Sequence, residues 1–313
     1  MSHLSRSVFA CGLFVLTLAF VSRQELYAAE AAEQEHGNVP SVKTSNPPTY
    51  STLYRPMPPS THPIADNHPL AGVMQYARRE QLYLQQELRD FTCQLVKRER
   101  IGGILQDYCY IDMSVREELR EDDAVVQPMS IFLNFVGPTR VAGRKVLFID
   151  GQNDGRMLVR NGGKHFDYVI VRVDPLGESA MKESLVPITQ TGFNRMLGQF
   201  INVLQRHAQA DPEGQNTQVQ RIEGAKVNER LCTAIRIVHP RKQAGLEFHV
   251  ANVLIDDELR VPVHVDFSEW PHRADQPGPL LAEYTYTDLK INVHLTDSTF
   301  NRNQLLRRSK SGE

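Results

Sequence analysis

The sequence LAGVMQYARREQLYLQQELRDFTCQLVKRERIGGILQDYCYIDMSVR, residues 70–116, changes its hydrophobic period once, close to residue 90. Before that point apolar residues recur at helical spacing, and charged residues fill the opposite face. Residues three and four positions apart share one face of a helix, so this spacing is typical of an amphipathic helix. We therefore predict a helix over residues 70–89, with its apolar face docked on the rest of the protein.

The second half of the stretch predicts a β-hairpin. From residue 91 apolar and polar residues alternate, Gly102-Gly103 interrupts the run, and a second run extends from residue 105 to about residue 116. With a bulge in the turn, the two strands turn one set of side chains to the same face: Phe91, Cys93, Leu95, Cys109, Ile111 and Met113. A slip of one residue would move the whole set to the other face, so the register stays open.

Further strand signals follow at short intervals along the chain. Segments bounded by Gly, Pro, Asn or Asp lie at 129–136, 145–149, 157–160 and 167–173. A broad apolar stripe at helical spacing then predicts a second helix over residues 192–208. Five more strand segments follow at 218–223, 231–238, 247–255, 261–267 and 281–293. The regular spacing indicates an antiparallel meander and not βαβ units.

These elements predict an α+β fold. A sheet of about ten twisted strands does not stay flat, and two helices each have an apolar face to bury. We expect a strongly curved antiparallel sheet, shaped as a half-barrel, with the helices packed on its concave face.

The N-terminal residues predict export to the periplasm or cell envelope. Arg6 precedes an apolar run, residues 13–21, that is shorter than the ~20 residues of a membrane span. Small residues follow, with cleavage expected after Ala28 or Ala31, so we interpret residues 1–29 as a signal peptide. An uncleaved N-terminal anchor is the alternative. Cys11 precedes the apolar run, which argues against lipidation at that residue, and no later segment predicts a transmembrane span.

The remaining chain divides into a linker, a domain and a tail. Residues 30–69 carry eight of the prolines among Ser, Thr and Asn without an apolar period, which predicts a disordered linker. The folded domain is expected over residues 70–302, and the basic residues 303–313 are expected to fray. The formal net charge of −2 gives no field for binding nucleic acid. Cys93, Cys109 and Cys232 match no metal or redox spacing, and their pairing stays open.

Two late segments carry a resemblance to a known family. Ala251-Asn252-Val253-Leu254-Ile255-Asp256 leads to Arg260-Val261-Pro262-Val263, a strand, an Asp turn and a Pro that opens the returning strand. The segment at 283–292 looks like a closing strand. Both segments resemble those of the LolA/LolB-like carriers of exported lipoproteins. The resemblance covers residues 70–302 and suggests an uncharacterised exported branch of that superfamily. The resemblance implies helices at the mouth of a curved sheet. Members include carriers, acceptors and regulators.

Side chains that could support catalysis are few. His264 and Asp266 lie two apart on a predicted strand, and His249 on the neighbouring strand could join them at a metal or acid–base site. Solvent-facing polar positions are the simpler explanation, since Val263 and Val265 alternate with them. Residues 150–155 are rich in oxygen ligands but lack the bidentate Glu of a calcium loop. We therefore expect no enzyme activity and no cofactor.

The expected function is binding of a lipid, a lipoprotein acyl chain or another apolar ligand inside the curved sheet. The alternative is a tethered envelope interaction or regulatory domain with a filled core. The oligomeric state and the ligand stay open. Candidate lining residues, chosen by the phase of each element, are Phe91, Leu95, Ile111, Met113, Phe132, Phe200 and Leu204.

Overall fold

The computed structural model describes residues 64–162 and 168–307. The predicted signal peptide, most of the predicted linker and the last six residues of the tail lie outside the described residues. Within the described part of the chain, no helix is both long enough and apolar enough to cross a membrane.

Two long helices and a large sheet dominate the described residues. The helices are α1 (Pro69–Glu87), α2 (Glu178–Met181), α3 (Phe193–Ala210) and α4 (Asn303–Leu306). The strands of the first half are β1 (Asp90–Ile101), β2 (Ile104–Leu105), β3 (Cys109–Arg116), β4 (Leu119–Glu121), β5 (Ala124–Gln127), β6 (Ser130–Gly137), β7 (Lys145–Ile149), β8 (Met157–Arg160) and β9 (Ile170–Val173). Those of the second half are β10 (Gln218–Val227), β11 (Arg230–Val238), β12 (Val250–Asp256), β13 (Pro262–Ser268) and β14 (Leu280–Ile291).

The sheet consists of two meanders that meet at its centre. Its strand order is β10-β11-β12-β13-β14-β1-β3-β6-β7-β8-β9, and β2 extends the hairpin from β1. The chain therefore enters at the centre, runs out to β9, crosses to the opposite edge at β10 and returns to pair β14 with β1. We call residues 174–217, which carry the chain from one edge to the other, the crossing connection. All main-sheet pairs are antiparallel, as the strand spacing predicted.

The predicted α+β class is confirmed, but the predicted half-barrel is not. The main sheet has 12 strands in the described residues and is open, with β9 and β10 at its two edges. These two edge strands do not pair with each other, so the sheet is not closed into a barrel. The strong curl that we expected is not confirmed. The two long helices, α1 and α3, cover one face of this open sheet, and the short helix α4 packs on the other.

The hairpin of β1 and β3 has the register in which the apolar residues share a face. Cys93 lies opposite Met113, and Leu95 lies opposite Ile111. Cys109 lies opposite Lys97, which is four positions along the strand from Cys93. All three described cysteines are buried and free.

The small β4–β5 hairpin has no strong signal in the sequence. Its residues are largely exposed, so no apolar alternation marks its two strands. The turn between them is formed by Asp122 and Asp123, both with positive φ angles. Aspartate tolerates this conformation better than most residues, which explains a tight turn without glycine.

Both long helices pack against the same face of the sheet. Leu84 of α1 and Leu88, which caps its C-terminus, join one core cluster with Phe193 and Leu197 of α3 and the inward residues of the central strands. A second cluster buries the N-terminal half of α1 and the C-terminal half of α3 on β11, β12 and β13. The ring centroids of Phe91 and Phe193 lie 4.6 Å apart, so the helix and the sheet meet through aromatic contact.

A glycine allows close contact between the two helices. Gln81 of α1 donates a 3.0 Å hydrogen bond from Nε2 to the carbonyl oxygen of Asn194 on α3. A Cβ atom at Gly198 would lie only 3.0 Å from this Nε2 atom. The absence of a side chain therefore leaves room for the bond, at a cost of about 1 kcal/mol in helix propensity relative to alanine.

The docking of α1 predicts a large difference between two leucines of the same helix. Leu84 is 1% exposed and Leu82 is 61% exposed. We expect Leu84→Ala to lower the free energy of unfolding by about 2–5 kcal/mol, because it leaves a cavity in the core. Leu82→Ala, which has the same effect on helix propensity, should change it by less than about 0.5 kcal/mol. Urea unfolding followed by circular dichroism measures both. Equal losses would show that α1 is not docked as described.

Candidate ligand-binding cavity

A cavity of about 420 Å³ lies between the sheet and the crossing connection. The floor is formed by inward-facing side chains of both meanders, and the roof is formed by residues 175–203. The apolar floor residues are Leu95, Ile111, Met113, Leu133, Phe135, Val146, Met157, Val159, Val171, Val173, Val253, Pro262, Val265 and Phe267. The apolar roof residues include Pro175, Met181, Val186, Pro187, Ile188, Met196, Leu197, Phe200 and Val203.

A buried polar cluster connects the roof to the sheet. The carboxylate of Glu99, which is almost fully buried, accepts hydrogen bonds from Tyr284 (2.7 Å) and from the backbone N–H of Leu185 (3.2 Å). Lys97 Nζ lies 2.7 Å from the same carboxylate and 2.8 Å from the hydroxyl oxygen of Ser184. A buried charge is tolerated where it is paired and hydrogen-bonded, so this cluster tethers the roof without an unpaired ion.

A second ion pair lies at the polar part of the cavity wall. Arg144, next to β7, contacts Glu183 of the crossing connection, and both residues line the cavity. The guanidinium carbon of Arg144 also lies 5.8 Å from the centroid of the Phe135 ring. The wall is therefore apolar along the floor and carries charges of both signs where the roof meets it.

The start of α3 depends on a carboxyl group from another part of the chain. Gly192, the N-cap residue, has φ of +107° and no side chain with which to cap the helix. Glu117 Oε1 instead accepts a 2.7 Å hydrogen bond from the backbone N–H of Phe193. A Cβ atom at Gly192 would lie 2.4 Å from Met129 Cε and 3.0 Å from Glu117 Oε2. Glycine is therefore required here both for its conformation and for space.

Burial controls the charge of the Glu117 carboxyl. Desolvation raises its pKa to about 7, against the lowering effect of the backbone N–H groups of Phe193 and Asn194 and of nearby Arg195. The carboxyl group therefore changes its protonation near neutral pH. It does so next to Gly192, which forms part of the cavity wall.

Four of the seven residues predicted to line a pocket lie on the cavity wall. These are Leu95, Ile111, Met113 and Phe200. Phe91 and Leu204 are fully buried in the two core clusters and do not line the cavity. None of these placements tests ligand binding, which stays a prediction for all of them.

Phe132 lies on the opposite face of the sheet. Its neighbours Ile131 and Leu133 belong to the cavity-side core, so alternation along β6 directs Phe132 away from it. Phe132 packs instead in a small cluster with Phe300, Leu305 and residues of β7 and β8. The side expected for Phe132 was therefore wrong, because the phase of β6 is shifted by one residue from the one we assumed.

The structure pairs two of the three candidate catalytic residues, His264 and Asp266, but does not add His249 to them. His264 hydrogen-bonds Thr285 (2.8 Å) and Asp266 (3.2 Å), on the face away from the cavity. The residues opposite His264 and Asp266 on β12 are Leu254 and Asn252. His249 precedes β12 and bonds the backbone carbonyl of His239. In residues 64–162 and 168–307, no group of His, Cys, Asp or Glu side chains could hold a metal ion.

The described thiols are placed as core residues. Burial raises the pKa of Cys93, Cys109 and Cys232, so each is protonated at neutral pH. The thiolate is the reactive form of cysteine, and these positions therefore suit packing more than nucleophilic chemistry.

Sequence reasoning missed the roof of the cavity. Residues 174–191 contain only the short helix α2 and one 3-10 turn, Ile188–Gln190, so they show no helical or strand period. The available signals were Pro175 and Pro187, which mark turns but do not say what the segment covers. The two buried carboxylates, Glu99 and Glu117, were also missed, because nothing in a strand pattern distinguishes a buried glutamate from an exposed one.

The architecture of this protein is an open antiparallel sheet with two long helices and a cavity on one face. Several solved structures have a fold that is similar to it. A LolA superfamily protein from Nitrosomonas europaea is 8% identical, with 74% of this chain and 98% of that chain covered and a TM-score of 0.31. Lipoprotein LppX from Mycobacterium tuberculosis is 12% identical, with 72% and 98% covered and a TM-score of 0.36. A DUF1329 family protein from Desulfovibrio piger is 13% identical, with 76% and 100% covered and a TM-score of 0.36.

The predicted resemblance to LolA-like proteins is confirmed as a resemblance. At this identity and these TM-scores it carries no information about the ligand. A search of curated proteins finds no match. The model of the family described as "Protein of unknown function (DUF1571)" matches residues 88–305. The chain belongs to the DUF1571 family.

The carboxyl group of Glu117 predicts a pH-dependent stability. An ordinary Glu carboxyl titrates near 4.5, whereas that of Glu117 titrates near 7 in the folded protein. Between these values the folded state holds a proton that the unfolded state has lost, so stability falls as pH rises. As pH rises across this range, the free energy of unfolding of Glu117→Gln should increase relative to that of the natural protein by up to about 1.4 kcal/mol per pH unit.

Urea unfolding of both proteins from pH 4.5 to pH 8 measures this difference, because other titrating groups are common to both and cancel. The side-chain amide introduced by Glu117→Gln keeps an acceptor for the N–H of Phe193, so the cap is preserved. Glu121 is exposed, and Glu121→Gln serves as the control. Its free energy of unfolding should differ from that of the natural protein by the same amount at every pH. A constant difference for Glu117→Gln as well would contradict the raised pKa of Glu117.

Proposed function

We propose that the chain is a non-catalytic binding protein that acts in the periplasm or cell envelope after export. Its ligand is a lipid, a lipoprotein acyl chain or another apolar molecule. The observation that carries the proposal is the apolar cavity between the sheet and the crossing connection. The sequence pattern of residues 1–29, which predicts a signal peptide, supports the location.

The size and chemistry of the cavity suit an apolar chain. Its volume of about 420 Å³ lies within the ~300–1,000 Å³ that small-molecule sites usually have. Most of its wall is formed by aliphatic, aromatic and methionine side chains. Each CH₂ group that moves from water into such a wall contributes about 0.8 kcal/mol, so several buried groups give useful affinity without a charged anchor.

The methionines of the wall add adaptability. Met113, Met157, Met181 and Met196 line the cavity from both floor and roof. Methionine has an unbranched, flexible side chain and fills irregular spaces easily. Such a wall can accommodate apolar chains that differ in shape, which suits a carrier better than a site that must hold one substrate in a reactive pose.

Native mass spectrometry tests the proposal directly. The chain is expressed with export, purified without detergent and measured intact, and a second sample is extracted with organic solvent. A co-purifying acyl species near one molecule per chain would support the proposal. A clean apo mass, unchanged after incubation with phospholipid and with a lipopeptide, would refute it and favour a tethered interaction domain.

Filling the cavity should abolish binding while leaving the fold intact. Leu133 lines the cavity, whereas Val136 of the same strand is 45% exposed. We expect Leu133→Trp to weaken binding of the fluorescent fatty acid dansyl-undecanoate at least about tenfold, because the indole occupies the space of several CH₂ groups. Val136→Trp should change it less than about twofold. Fluorescence titration measures both, and equal affinities in the two variants would place the ligand outside the cavity.

A further inference from the structure

A second, much smaller chamber adjoins the main cavity. It has a volume of about 20 Å³ and lies between α1, α3 and strands β11 to β13. Four residues line both spaces: Leu197, Phe200, Val253 and Pro262. A space of this size holds about one water molecule and is too small for a chain end by itself.

An ion pair forms part of the wall of the small chamber. Glu80, which is buried on α1, accepts a 2.7 Å hydrogen bond from Arg260 Nε. The Arg260 guanidinium carbon in turn lies 3.6 Å from the centroid of the Tyr83 ring. An apolar chain that entered from the main cavity would therefore end at this charged group, which cannot be desolvated without a large cost.

Of the four shared residues, Phe200 is the one that is not fully buried. Leu197 is buried in the core cluster of Phe91 and Phe193, and Val253 and Pro262 belong to sheet strands. Phe200 is only partly buried and packs against the edge of the second core cluster. Its ring is therefore the partition that a change of rotamer could remove.

We propose that Phe200 determines the length of the acyl chain that the cavity accepts. With its ring in the observed position, Phe200 stands between the main cavity and the small chamber. With the ring turned aside, the two spaces join and the chain end reaches as far as the Glu80–Arg260 pair. This inference rests on the proposed function and adds to it the ligand class, a straight acyl chain, and a residue that selects among chain lengths.

The test measures the affinity of the full chain for saturated fatty acids of about 10 to about 20 carbons, by displacement of dansyl-undecanoate. Affinity is expected to rise by about fourfold per CH₂ group until the chain end reaches the end of the cavity, and then to stop rising. In Phe200→Ala the length at which it stops should increase by two carbons or more. Phe200→Leu, which retains more of the packing, should give a smaller increase, and Phe200→Trp should give none.

Leu204→Ala is the matched control, because Leu204 lies on the same helix, is fully buried and lines neither space. It should lower stability without moving the length limit. If Phe200→Ala does not fold, Phe200→Leu still reports the change. If the natural protein binds fatty acids and the folded Phe200 variants stop gaining affinity at the same chain length, the role of Phe200 is overturned and the proposed function stays intact. Absence of binding for every fatty acid to the natural protein overturns this inference, and the native mass spectrometry described above then decides the proposed function separately.

Discussion

The pairing of β14 with β1 at the centre of the sheet determines the rest of the architecture. Because the last strand joins the first, the two meanders occupy opposite halves, and the chain must travel from the edge at β9 to the edge at β10. The crossing connection is long for this reason, and it carries α3 over the face of the sheet. The cavity lies where the irregular part of this connection passes above the strands without filling the space beneath.

Two buried carboxylates hold the roof in place. Glu99 accepts the backbone N–H of Leu185, and Glu117 accepts that of Phe193. Both acids come from the first meander, whereas both N–H groups belong to the crossing connection. Both N–H donors would be buried without a partner if the acids were removed, and an unsatisfied buried donor costs more than a typical hydrogen bond contributes. These polar contacts therefore position the roof together with the apolar packing of α3.

The regular elements were predictable from the sequence because their signals are local. The periods of α1, α3 and most strands gave ranges within a few residues of those observed. One alternating set indicated the face that β1 and β3 share, although it left their register open. The phase of β6 was not predicted correctly, since Phe132 and Leu133 are both apolar and both faces of that strand are partly covered. The open shape of the sheet, the roof and the cavity depend on how distant segments fit together. No local period carries that information.

The central seam has a consequence for how the protein reaches its native state. Phe91 and Ile291 are neighbours across this seam, although about 200 residues separate them along the chain. Contacts of such long range are slow to form, because the entropy of closing the loop is lost before they contribute energy. Until β14 has been synthesised, β1 retains an unpaired edge, which invites association with other chains. A chain truncated before its last strand therefore lacks the centre of its sheet, not one of its margins.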